Sequence, residues 1–176
     1  MIEMNIDIRK ISESNQQDIF LPNEPFELRG RLIVSRVAEK WHYRKELMTP
    51  VEMIFPDETY DYGKLTAKGF VLGAYLESTC VGLAIMEDDW MKHMYLADLK
   101  VSQLARRLGV GQKLIAEAFR LAKERNYQGI YTIGQDNNLN ACEFYLKVGF
   151  EIGGLNTRGY QYTAQEEKSD IYFYLS

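Results

Sequence analysis

Cysteine and histidine are scarce in this chain, with two of each among 176 residues. Cys80 and Cys142 form no C-x-x-C pair, so neither a zinc knuckle nor a redox pair is written here. They read as plain buried thiols of a reducing compartment. His42 and His93 show no metal-ligand spacing and no nucleophile partner; both read as structural, and no metal site is expected. Long apolar runs are missing, so no segment reads as membrane-spanning. The opening "MIEMNIDIRKISESN" lacks the apolar stretch of a signal peptide. A soluble, cytoplasmic protein is expected. Basic excess is absent as well: the formal net charge is −4. A non-specific nucleic-acid binder needs a basic surface. Neither nucleic acid nor membrane is therefore an expected partner, and a mildly acidic surface suits a cationic one. G-x-S-x-G and H-E-x-x-H do not occur, which leaves hydrolase and metalloprotease chemistry unsupported. There are no repeats and no low-complexity tracts.

What is present is enough for one sizeable core. Apolar residues make up 46% of the chain, and the length suits a single domain over residues 1–176. Met4–Ile11 alternates as a first strand, and Ser12–Leu21 suits a short helix ended by Pro22. Phe26–Leu47 reads as two strands turning near Glu39–Lys40. Thr49–Lys68, with Pro50, Pro56 and Gly63, reads as loop with one helical turn. Phe70–Leu76, Cys80–Glu87 and Met94–Val101 form a strand meander. Gly109–Arg125 carries an apolar stripe at the helical period. A strand at Gly129–Ile133, a helix at Asn137–Leu146 stopped by Gly149, and strands at Phe150–Gly153 and Ile171–Leu175 complete the chain. The class is α+β or mixed α/β, a mostly antiparallel sheet flanked by helices. The aromatic last strand, "IYFYL", offers an edge for a homodimer.

The stretch "ARRLGVGQKLI" asks for an anion. Glycines let backbone N–H groups approach a ligand, arginines add charge, and a helix start points its positive end the same way. A P-loop would need Lys followed by Ser or Thr after the second glycine; Gln112–Lys113–Leu114 stands there instead. A dinucleotide fingerprint would need a small residue where Leu114 stands, and a β-meander upstream is the wrong context. Two readings remain: a glycine-rich turn with solvated arginines, or the pattern R-x-x-G-x-G at Arg106–Gly111.

That pattern resembles the acetyl-coenzyme A pyrophosphate loop of the GNAT acyltransferases. The strand "YLADLKV" precedes it and an amphipathic helix starts inside it, as in that family. Downstream, "NNLNACEFYLKVGFEIGG" resembles the second GNAT signature. The resemblance covers Phe70 to Gly154. "PNEPFELRGRL" and "QDNNLNACEFYLKVGFEIGGLNT" also resemble one branch of the family, the streptothricin acetyltransferases. The resemblance implies a GNAT fold with an acetyl-CoA-binding core over 70–154 and an acceptor side over 1–68.

It also implies roles. Leu99 and Val101 would contact acetyl-CoA through main chain, beside a bulge in their strand; their side chains read as ordinary core. Amides from Arg107 through Leu108, Gly109, Val110, Gly111 and Gln112 would hold the pyrophosphate, with Arg106 or Arg107 adding charge. Asn138 would contact pantetheine or an ordered water, although "DNN" is also strong helix-capping sequence; Asn140 is a second candidate. Tyr145 falls at the position of the general acid. A phenol stays protonated at neutral pH and can donate to a departing thiolate. Asp98, the acid within "YLADLKV", is the candidate base, with a sheet-edge acid as the alternative. Glu87, Asp88 and Asp89 read either as a steering cluster or as a solvated turn.

The expected activity is transfer of acetyl from acetyl-CoA, a co-substrate, to a small cationic amine, foremost the β-lysine portion of streptothricin. Alternatives are a protein N-terminus, a lysine side chain or a polyamine, and a silent acyl-CoA-binding module. Glu24, Glu27, Asp57, Glu58 and Asp61 are available for a compact acidic pocket.

Overall fold

The computed structural model describes residues 5–176, so Met4 of the expected first strand lies outside it. In chain order the strands are β1 (Ile6–Lys10), β2 (Phe26–Val37), β3 (Lys40–Met53), β4 (Gly69–Leu76), β5 (Thr79–Glu87), β6 (His93–Val101), β7 (Gly129–Gln135), β8 (Glu151–Asn156) and β9 (Asp170–Leu175). The α-helices are α1 (Tyr62–Lys68), α2 (Val110–Glu124) and α3 (Leu139–Lys147), with 3-10 turns at Glu13–Phe20 and Gln103–Ala105. The architecture is the expected one, mixed α/β with a mostly antiparallel sheet flanked by helices. The described residues divide into two compact units, one of residues 5–24 and 55–130, the other of 25–54 and 131–176.

In the first unit, β1, β4, β5 and β6 are antiparallel neighbours. Side chains alternate across a strand, so β5 serves two cores. Leu83 and Ile85 join Ile11, Ile19, Leu65 and Val71 on one face. The other face receives α2, whose buried Val110, Leu114, Ile115, Ala118, Leu121 and Ala122 follow the helical period. Leu83 is fully buried. Leu83→Ala should cost about 2–5 kcal/mol, read as a lower Tm, through lost transfer energy and a residual cavity.

In the second unit, β2 and β3 form a two-stranded ribbon, and α3 packs on β2. Glu143 of α3 is clamped by Arg29 of β2 and by Lys45 of β3, the latter at 2.6 Å. The segment 49–53, expected as loop, continues β3. Pro50 is tolerated because it falls in a bulge: Gly30 faces Leu47 while Leu28 faces Val51. Proline removes a ladder donor and is accepted at bulges. The last strand corrects a second expectation. β9 lies between β7 and β8, so both its edges are paired and it offers no dimer edge. Gly149, at φ 109°, ends α3 as expected.

Candidate active site

In the first unit, β6 carries a bulge. Asp98 faces Ile85 and Leu96 faces Met86, leaving Ala97 as the extra residue. A bulge re-aims neighbouring side chains. Asp98 and Lys100 therefore share the face of Ile85 and Leu83, while Leu99 and Val101 pair with Ala84 and Gly82 on the α2 face.

Asp98 meets partners that local sequence spacing does not reveal. The Tyr60 hydroxyl donates to Asp98 Oδ2 at 2.6 Å, and the Tyr60 ring packs on the core beside Leu65. Lys100, 9% exposed, donates to Glu58 Oε2 at 2.5 Å and to the Leu21 carbonyl at 3.3 Å. Its ammonium is 3.8 Å from Asp98 Oδ2. Burial pushes the Asp98 carboxyl above its ordinary range, against the Tyr60 hydrogen bond and the Lys100 charge. Burial also lifts the Tyr60 phenol, and the bond to Asp98 adds to it. Glu58 behaves oppositely: burial raises it, but bonds from Lys100 and Asn23 outweigh that and hold it low. Lys100 is thus neutralised mainly by Glu58. Asp98 keeps a carboxylate oriented by the Tyr60 hydroxyl and by a backbone bond from Leu99, with enhanced proton affinity, as a general base requires. One signal was available in the chain: Asp98 and Lys100 are two apart and so share a strand face. Nothing local marks Tyr60, and Glu58 stood out only as one of several acids available for a pocket.

The glycine loop lies in the same unit. Gln103–Ala105 makes one 3-10 turn with Ala105 buried, and the Gln103 amide donates to Glu24 Oε1 at 3.1 Å. Arg106 and Arg107 are both exposed. Arg107 (φ 69°) and Gly109 (φ 74°) are left-handed, and Gly109 caps the fifteen-residue α2. The Lys113 amide makes the helical bond to the Gly109 carbonyl at 3.0 Å. The amides of Val110, Gly111 and Gln112 precede it and have no intrahelical acceptor. They form, with the helix dipole, a place for an anion. The Leu108 amide is engaged by the Ala105 carbonyl at 3.3 Å.

In the second unit, Asn138 caps α3, its side chain accepting from the Ala141 amide at 3.3 Å. Asn140 accepts from Arg29 Nε at 2.6 Å, which ties it to the ribbon. Tyr145 is half-buried, its ring centroid 5.3 Å from that of Phe173, 5.4 Å from Phe150 and 5.6 Å from Phe144.

The acids proposed for a pocket divide. Asp57 and Glu58 line a cavity of about 210 Å³ with Ile19, Phe20, Leu21 and Tyr60. Glu24 holds the Gln103 amide, Asp61 caps α1 through the Lys64 amide, and Glu27 faces Glu52 in the ribbon. Asp88 is bound by Arg125 at 2.6 Å and by the Tyr127 hydroxyl at 3.0 Å, a built turn. Burial pushes the Cys142 thiol up to about 12, as suits an inert core cysteine. Among the described residues no helix is long and apolar enough to cross a membrane.

The profile of the acetyltransferase (GNAT) family matches residues 38–150. Streptothricin acetyltransferase A of Bacillus subtilis (strain 168) is 31% identical over 169 residues, spanning 95% of this chain and 98% of that protein. A proposed streptothricin acetyltransferase of Bacillus anthracis strain Ames, solved in complex with acetyl coenzyme A, superposes with a TM-score of 0.86 at 29% identity, covering 99% of this chain and 98% of the other. N-alpha-acetyltransferase 50 of Danio rerio is 30% identical over 132 residues, spanning 71% of this chain and 77% of that protein.

Proposed function

This chain belongs to the GNAT acetyltransferase family, and from that premise we propose that it transfers acetyl from acetyl-CoA to a primary amine of streptothricin, on its β-lysine portion. The observation that carries the acceptor assignment is the extent of the likeness to streptothricin acetyltransferase A. It runs over 95% of the chain, well beyond residues 38–150. Acetyl-CoA is the co-substrate, as in the Bacillus anthracis complex. The residues fit it: the left-handed Gly109 and the amides opening α2 suit a pyrophosphate.

The reaction assigns each group one task. Asp98 takes a proton from the acceptor ammonium, leaving a neutral nitrogen with a lone pair. That nitrogen attacks the thioester carbonyl carbon; a C–N bond forms and the C–S bond breaks. Tyr145 supplies the proton that the departing thiolate takes up, and the second proton, shed by the nitrogen as it becomes an amide, restores the Tyr145 phenol through solvent. The alternative acceptor, a protein N-terminus, is supported by the likeness to N-alpha-acetyltransferase 50.

Mass spectrometry after incubation with acetyl-CoA separates the two. The expected result is one added acetyl on streptothricin, with slow or no reaction on spermidine, a lysyl peptide and a ribosomal-type N-terminal peptide. Fast acetylation of a peptide with streptothricin untouched would overturn the assignment.

The loop gives a binding prediction. A Cβ at Gly109 meets nothing within 4 Å, so space is available, but the φ of 74° is hostile to β-branched residues. Gly109→Val should therefore weaken acetyl-CoA binding at least about tenfold, or about 1.4 kcal/mol. Gly109→Asn, which tolerates the left-handed region, should keep affinity within about threefold of wild type. Calorimetric titration reads both, and equal affinity for the wild type and a folded Val variant would discard the loop assignment.

A further inference from the structure

A second cavity, of about 430 Å³, lies wholly within the unit of residues 25–54 and 131–176. Gly30 and Arg31 of β2, Met48 of β3, Asn137 and the segment 163–168 line it. Its walls are built rather than incidental. The Leu32 amide donates to the Asp136 carbonyl, and the Asp136 amide to the Ser169 carbonyl, both at 2.9 Å. Asp136 Oδ1 accepts from the Ser169 amide at 3.1 Å. Arg31 Nη2 donates to Asp136 Oδ2 at 3.1 Å and to the Glu167 carbonyl at 2.7 Å. Lys168 is held by Gln165 Oε1 at 2.9 Å.

Two lining residues carry buried polar atoms without a hydrogen-bond partner, the Arg31 Nε donor and the Asn137 Oδ1 acceptor. Native proteins rarely leave such atoms unmet. The Arg31 charge is already balanced by Asp136, so the unmet need is not for an anion. One atom needs an acceptor and the other a donor, and an amide supplies both through its oxygen and its nitrogen. Both atoms are shut off from solvent, and a ligand in the cavity has to turn the side chains in order to reach them. Asn137 immediately precedes Asn138, the cap of the helix that carries Tyr145.

We propose that this cavity is an acceptor subsite that recognises an amide of the substrate through Arg31 and Asn137. The proposal rests on the reading of the chain as an amine acetyltransferase. It adds a specificity determinant: amines bearing a nearby amide are preferred over plain polyamines. The amide can come from a small antibiotic or from a peptide backbone, and the same chemistry serves both.

The test uses the full chain and two probes, lysinamide and cadaverine, which differ in the amide. In 1H–15N spectra the Arg31 Nε–H signal is assigned by its loss in Arg31→Lys. It should shift saturably with lysinamide and not with cadaverine, and Asn137→Ala should weaken that shift at least fivefold. In turnover, Asn137→Ala should lower the ratio of kcat/KM for lysinamide over cadaverine about tenfold. Streptothricin and the tripeptide Gly-Lys-Gly, run beside them, identify which source of amide binds more tightly. An unshifted Arg31 signal, an equal shift with cadaverine, or contact with an ordered water only would overturn the subsite. The spectra report binding without turnover, so absence of acetyl transfer with an intact shift would fault the enzymatic reading and leave the subsite standing.

Discussion

Tyr145→Phe will lower kcat about a hundredfold or more, the usual loss on removing a general acid, while the Kd for acetyl-CoA stays close to wild type. The substitution removes one hydroxyl and keeps the ring. The packing against Phe144, Phe150 and Phe173 is therefore retained, and a melting curve reads whatever the hydroxyl itself adds to stability. That separation makes the measurement decisive. A purely packing role would leave turnover unchanged, because everything that packs is still present. A drop in kcat at constant Tm and constant cofactor affinity isolates the proton delivered to the leaving thiolate. Steady-state kinetics, a melting curve and a calorimetric titration suffice, and wild-type turnover in the Phe variant would remove Tyr145 from the mechanism.

Asp98→Asn should lower kcat/KM by about a hundredfold or more and remove the acid limb that Asp98 gives to its pH profile. The sign follows from the carboxylate's surroundings. A base works above its pKa, and burial places that of Asp98 above the ordinary carboxylate range. The Tyr60 hydroxyl donates to the carboxylate and so favours the charged form. Tyr60→Phe deletes that donor, the Asp98 pKa rises further, and the acid limb should move to higher pH. Lys100 favours the charged carboxylate and Glu58 opposes it; both remain in the variant, so the direction is set by the lost bond. A 13C titration of the Asp98 carboxyl reads the same shift without turnover. An Asn variant with wild-type rate and limb would show that Asp98 only orders the sheet. A Phe variant with a lower rate and an unmoved limb would assign Tyr60 to packing alone.

The glycine loop and α2 were legible in the chain because everything that makes them is local. The apolar stripe from Val110 to Ala122 follows the helix period, and a left-handed turn before a helix calls for glycine at the position Gly109 occupies. The cap at Asn138 and the stop at Gly149 are local in the same sense. The ribbon turn near Glu39 was legible too, since alternation on both sides locates it. Pro50 misled because a proline interrupts a strand in general, and only the bulge opposite Arg29 excuses this one.

The rest was decided by tertiary structure. Sequence alone determined the family, the glycine turn and the two helices that carry the named residues, because motif spacing, periodicity and capping act over a few positions. The order of β9 between β7 and β8 depends on pairing between segments far apart in the chain, which no local pattern encodes. The surroundings of Asp98 have the same origin. Tyr60 is 38 residues away and Glu58 is 42 residues from Lys100, yet their hydroxyl, carboxylate and ammonium set the proton affinity of the candidate base. Proton affinity responds to burial and to charges within a few ångströms, and folding alone brings those groups that close.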